Sequence, residues 1–230
     1  MKLSKVQIQK LYTFTRQHYV EYYDLQTELV DHLANAIEEQ WKENPKLSFD
    51  DALQIEFKKF GVFGFMEVVE KRQAYLTKKY NKIVLKNLIT FFTIPKIIGT
   101  FTSVAIVFVL LKLLQKDIPL LQITFAILTL IFFIGIIFIS RKTKKQTQLS
   151  GKKWMFKEII FGYSSMSGLI NLPIQFALHL KGENYHNWFL LLVSFLLILL
   201  ALVEYIVLIL IPSKSEEYLK ETYPEYEFSN

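Results

Sequence analysis

The chain has 230 residues, 52% of them hydrophobic, a mean hydropathy of +0.27 and a formal net charge of +6. It has no cysteine, which excludes disulfides and thiolate metal sites. Residues 1–80 hold 12 basic and 12 acidic side chains and residues 81–230 hold 15 and 9, so the surplus belongs to the apolar half. There it reads as positive-inside bias and contact with anionic lipid head groups, not as a nucleic-acid footprint.

Residues 1–80 are expected to form a helical bundle. Ser4 is placed to cap a first helix, with Val6, Leu11, Tyr12 and Phe14 as its apolar contacts. Asp24 is the expected N-cap of a second helix reaching about Glu43. Leu25, Leu29, Leu33, Ile37 and Trp41 recur every four residues along it and form one apolar stripe, and Gln26 falls off that stripe. Asn44-Pro45 ends the helix, because the residue before proline avoids the helical region. Ser48 with Asp51 three residues later forms a variant capping box for a third helix, whose inner face is Phe49, Leu53, Phe57 and Phe60. Gly61 suits the position after its end. A fourth helix starts near Phe65 and continues past Tyr80.

Glu28-Leu29-x-Asp31-His32, Ala36-Ile37-Glu38-Glu39, Ser48-Phe49-Asp50-Asp51-Ala52-Leu53 and Phe60-Gly61 follow one another in an order that resembles the HAAS/permease-prefix type of helical domain. The resemblance covers roughly Tyr22–Tyr75, and its motifs are short. The chain departs from the type by inserting Asn44-Pro45-Lys46-Leu47 at a turn and by its extra phenylalanines. Such bacterial domains precede membrane spans and are encoded beside PadR-type transcription regulators. The resemblance implies a protein partner at this domain, with Glu28, Asp31, His32, Glu38 and Glu39 as partner-facing candidates. Read without it, Glu28, Asp31 and His32 are expected to form a hydrogen-bonded cluster at a helix packing surface, and no further ligands are identifiable that would make them a metal site.

Residues 81–96 form a basic connector, read as an interfacial helix with Lys82, Lys86 and Lys96 toward anionic head groups, the alternative being the first turns of a tilted span. Four membrane spans are expected across 97–211, at about Ile97–Leu114, Ile118–Ser140, Ile159–Leu180 and Trp188–Ile211, each near the ~20 residues that cross a bilayer. Arg141–Lys153 carries Arg141, Lys142, Lys144, Lys145, Lys152 and Lys153 and no acid, and reads as a cytoplasmic loop. Trp154, Tyr185 and Trp188 suit interfacial belts. With the N-terminal domain lacking a signal peptide pattern, the first span serves as an uncleaved insertion signal, and both termini are expected in the cytoplasm of a bacterium. The tail, 212–230, is acidic and tyrosine-bearing and is expected to be disordered or to lie on the basic loop.

Polar residues inside the spans are the remaining candidates. The third span carries Ser164, Asn171 and Gln175, whose polar groups need partners away from lipid. Glu204 is the one acid deep in a span, and Lys157 is the proposed partner for it. No zinc-protease, nucleophile-elbow or phosphate-loop pattern is present. The expected class is therefore all-α: a cytoplasmic helical bundle followed by four transmembrane helices. The expected role is non-enzymatic binding of a protein partner, with no cofactor, no metal and no direct nucleic-acid contact, and with homo-oligomerisation left open. A small transporter or channel component built on the third span and Glu204 is the alternative, and an intramembrane enzyme a third.

Overall fold

The computed structural model describes residues 2–114, 119–162, 173–176, 178–179, 185–223 and 226. All regular structure among them is helical. The chain divides into two compact units, Met1–Thr77 with Thr147–Glu158 and Lys78–Gln146 with Ile159–Asn230.

In the first unit α1 spans Lys5–Gln17 and α2 spans Tyr23–Glu43. Ser4 closes the expected cap: its Oγ accepts the Gln7 N–H, and Gln7 Oε1 accepts the Ser4 N–H. Leu11 and Thr15 face inward at 0% exposure. Val6, by contrast, is 79% exposed; five residues from Leu11 at ~100° per residue, it stands on the other side of the helix. After α1 the Tyr19 N–H donates to the Arg16 carbonyl and the Val20 N–H to that of Thr15. This is a Schellman closure, and it holds Tyr19 at φ 65, in the left-handed region. The α2 stripe Leu25, Leu29, Leu33, Ile37 and Trp41 is buried along its whole length, and the helix stops at Asn44-Pro45 as expected. Its N-cap is Tyr22 rather than Asp24, which lies inside the first turn and is itself buried. Gln26 is buried too, at 4% exposure.

Helix α3 spans Phe49–Lys58, and Ser48 Oγ accepts the Asp51 N–H at 3.1 Å. Leu53 is buried, whereas Phe49, Phe57 and Phe60 are half-buried. Phe57 meets Phe14 and Phe65 edge-on at 5.1 and 5.0 Å, and Phe60 meets Phe65 at 4.8 Å. Glu56 is an acid that the pattern missed: 3% exposed, it accepts from Lys59 Nζ at 2.7 Å and from Gln40 Nε2. The helix is capped at Lys59, so Gly61 stands two residues beyond the cap rather than one. Gly64, at φ +54, also faces Phe57; a Cβ there would lie 2.8 Å from the Phe57 ring. Helix α4, Met66–Thr90, is continuous across the expected boundary at residue 80.

Among the described residues, three helices are long and apolar enough to cross a membrane: α5, Lys96–Leu114; α6, Leu120–Ser150; and the run Asn187–Ser213. That run comprises α8, Asn187–Tyr205, a π-helical segment Ile206–Leu210, and one further turn. Leu111, Leu121, Phe125, Leu190, Val193, Leu197 and Leu200 form the core of this unit, with Phe176 stacked on Phe125 at 5.2 Å. The basic stretch after Ser140 is not a loop: α6 runs on through it to Ser150. Lys, Arg and Gln propagate a helix well, so the apolar helix simply continues, by ~15 Å over ten residues. Helix α7, Met155–Phe161, opens the expected third span, most of whose polar residues, Ser164 and Asn171 included, lie outside the described residues. The described part of the tail is helical and packed: α9 spans Ser215–Thr222, with Leu219 at 0% and Tyr223 at 1% exposure.

Candidate functional site

A dense set of contacts in the first unit joins residues 21–24, at the entrance of α2, to residues 151–155, at the entrance of α7. The Tyr23 N–H, an unpaired donor of the first turn of α2, donates to the Lys153 carbonyl at 2.7 Å. In return, Asp24 Oδ1 accepts the N–H of Met155, the first residue of α7, at 3.1 Å. Gly151, at φ +63, turns the chain out of α6 into this position. Side chains reinforce the backbone pairing. Lys153 Nζ pairs with Glu21 at 2.8 Å and lies 4.9 Å from the centre of the Tyr22 ring. Lys152 Nζ lies 4.7 Å from that of Tyr23, and Trp154 meets Tyr23 edge-on at 5.3 Å.

Burial by itself would lower the affinity of Lys153 for its proton. The hydrogen bond to Glu21, with the charges of Tyr22, Glu21 and Glu158, outweighs it and holds the ammonium above its usual range. Burial pushes the Tyr22 phenol up, against the opposing pull of Lys153. Lys152 and Lys153 are thus half-buried and engaged with aromatic rings and an acid, whereas Lys82, Lys86, Arg141, Lys142, Lys144 and Lys145 are exposed, as is Lys96, whose Nζ lies 5.0 Å from the centre of the Phe91 ring. Trp154 is 4% exposed, so it is a packing residue of this clasp and not a member of an interfacial belt. Trp188, at 63% exposure, does stand at the surface.

Helix α2 turns its other side outward. Glu28, Asp31, His32, Asn35 and Glu39 are all exposed and recur at helical spacing, with Lys42 at the C-terminal end of the row. Asn35 Nδ2 donates to Asp31 Oδ2 at 3.3 Å, and His32 meets the Phe60 ring edge at 6.0 Å. Glu38 leaves the set: its Oε1 accepts the Leu3 N–H at 2.9 Å, tying the N-terminus down. The face therefore offers three carboxylates along ~16 Å of helix, a surface complementary to a basic segment. Among the described residues no three His, Asp or Glu side chains are grouped to hold a metal ion.

Lys157, half-buried on α7, belongs to the first unit, and Glu204, half-buried on α8, to the second. Glu204 lies two residues before the π-helical segment, with Tyr205 between them. Gln175 is exposed. The clasp had no local signal in the sequence, since its two halves stand about 130 residues apart. No family model, no curated protein and no solved structure matches this chain.

Proposed function

We propose that the chain is a non-enzymatic adaptor of a bacterial cytoplasmic membrane, whose helical domain binds a protein partner through the exposed acidic row of α2. The observation that carries this reading is the pairing of a fully buried α2 stripe with an opposite face on which Glu28, Asp31 and Glu39 stay in solvent. Three carboxylates on a rigid helix pre-organise a binding face at little entropic cost. The exposed lysines and arginine at 82, 86, 96, 141, 142, 144 and 145 support an orientation with that side of the membrane, and both termini, in the cytoplasm. On this reading the chain crosses four times, with the third crossing beginning in α7. The resemblance of Tyr22–Tyr75 to HAAS/permease-prefix domains makes a PadR-like regulator the favoured partner. The test is co-purification of the full chain in lipid nanodiscs, wild type against a Glu28→Lys, Asp31→Lys, Glu39→Lys variant. A winged-helix regulator retained by the first and lost by the second supports the reading; equal recovery on both defeats it.

A second reading, a small transporter or channel component, is favoured by Glu204 standing beside the π-helical segment in a membrane-length helix, since both features concentrate at functional positions. Glu204→Gln would then abolish solute flux in reconstituted vesicles while leaving partner recovery unchanged.

A further inference from the structure

On the α1 side of the clasp the first unit holds an open cavity of about 510 Å³, lined in part by Arg16, Glu21, Gln26, Thr147, Gln148 and Lys153. This is the size of an ordinary small-ligand site. Gln26, buried at 4% exposure, is fixed from both ends: its Nε2 donates to the Val20 carbonyl at 2.6 Å, and its Oε1 accepts from Arg16 Nε at 3.3 Å. The Arg16 guanidinium is thereby oriented through one nitrogen. Among the described residues its two terminal nitrogens donate to no protein group. Lys153 supplies a second cation, positioned by Glu21, and Thr147 and Gln148 supply neutral donors. A planar two-donor fork beside an ammonium matches the oxygens of a phosphate group better than those of any neutral ligand.

We propose that this cavity binds a phosphate ester, either of a small soluble metabolite or of a phospholipid head group, with Arg16 as the fork and Lys153 as the second cation. Glu21 stays paired to Lys153, leaving one unit of positive charge for the ligand. The acidic face of α2 plays no part in this site, which stands whether or not a protein partner binds there.

The full chain is reconstituted in phosphatidylcholine nanodiscs, and hydrogen exchange is followed at residues 16–26 and 147–153. Glycerol 3-phosphate is titrated in one arm; in the other, phosphatidylglycerol is mixed into the disc. Saturable protection of both segments by glycerol 3-phosphate supports a soluble ligand, and protection only in the phosphatidylglycerol discs supports a head group. Arg16→Gln is expected to weaken binding about tenfold or more, the scale of a lost charge-assisted pair, and Arg16→Lys to lose less. Should Arg16→Gln also lose exchange protection in α3, away from the cavity, Arg16→Lys and Gln148→Ala decide: weaker binding in either supports the site, and wild-type affinity in both overturns it. Absence of protection in both arms overturns it as well.

Discussion

The carboxylate of Asp24 caps the helix that begins at Met155, 131 residues away, with Oδ1 at 3.1 Å from the Met155 nitrogen. Because the Tyr23 N–H is bonded to the Lys153 carbonyl, the entrances of α2 and α7 satisfy each other. A capping carboxylate also sits favourably at the positive end of the helix dipole. Asp24→Ala removes the acceptor and leaves a buried N–H unpaired, at an expected cost of about 2 kcal/mol. Asp24→Asn keeps an oxygen there and is expected to cost about half as much. Thermal melting followed by tryptophan emission, together with exchange of the amides at 155–158, checks both values; equal stability of Asp24→Ala and wild type would mean the cap is not formed.

Two groups of the clasp set its response to alkali. Lys153 and the Tyr22 phenol both hold their protons above their usual values of 10.5 and 10.0. As pH rises, the unfolded chain therefore gives up these protons before the folded one does. The stabilisation is complete below about pH 10 and is lost as the pH climbs through the folded-state values. Melting temperature should be level between neutrality and mild alkali and should drop above about pH 10. Tyr22→Phe removes one contributor and should shallow that drop, which melts of the two proteins side by side would reveal.

Within the second unit α6 passes close to the π-helical segment at Gly135. A Cβ added there would lie 2.7 Å from Leu208 Cδ1 and 3.0 Å from Cδ2. Those atoms are the flexible end of a side chain, so Gly135→Ala is expected to cost only about 1 kcal/mol, whereas Gly135→Ile overpacks the contact by about 2–3 kcal/mol. Leu208→Ala opens space opposite. The double variant Gly135→Ile, Leu208→Ala should then be more stable than the sum of the two singles by about 1 kcal/mol or more. Melting of the three proteins in detergent measures that coupling; strict additivity would show that the two helices do not meet there.

Local patterns were legible and distant pairings were not. The four-residue recurrence Leu25 to Trp41 and the caps at Ser4 and Ser48 depend on neighbours within one or two helical turns, and each stands where the pattern put it. Asp24 looks like an N-cap because it is one, but for α7 rather than for its own helix. Lys152, Lys153 and Trp154 look like an interfacial basic-aromatic cluster until Glu21, Tyr22 and Tyr23 meet them. Arg141–Lys145 is a run of charge but also of high helix propensity, so α6 continues through it. The acidic row of α2 was visible as a set, yet Glu38 left it for the backbone of Leu3, a contact that no helical periodicity encodes.

The tail gives the last case, and a direct measurement. Ser215 and Leu219 on α9, Tyr223 at its C-cap and Tyr226 beyond it are all buried, at 8%, 0%, 1% and 2% exposure. Lys79 Nζ on α4 donates to Thr222 Oγ1 at 2.8 Å, and Tyr226 Oη donates to Glu216 Oε1 at 3.3 Å. The acidic residues Glu216, Glu217 and Glu221 occupy the exposed side of α9, so the charge that suggested a disordered tail is the solvent face of an amphipathic helix. Tyr223→Ala empties a fully buried ring site and is expected to cost about 3 kcal/mol, while Tyr223→Phe, which keeps the ring, should cost about 1 kcal/mol or less. Glu217→Gln on the exposed side should change stability by less than about 0.5 kcal/mol. Limited trypsin digestion reads the same difference at Lys214 and Lys220. Wild type and Tyr223→Phe should resist cleavage there, and Tyr223→Ala should be cut early. A cleavage rate at Lys220 that is high in wild type and unaffected by Tyr223→Ala would show that the helix does not hold in solution.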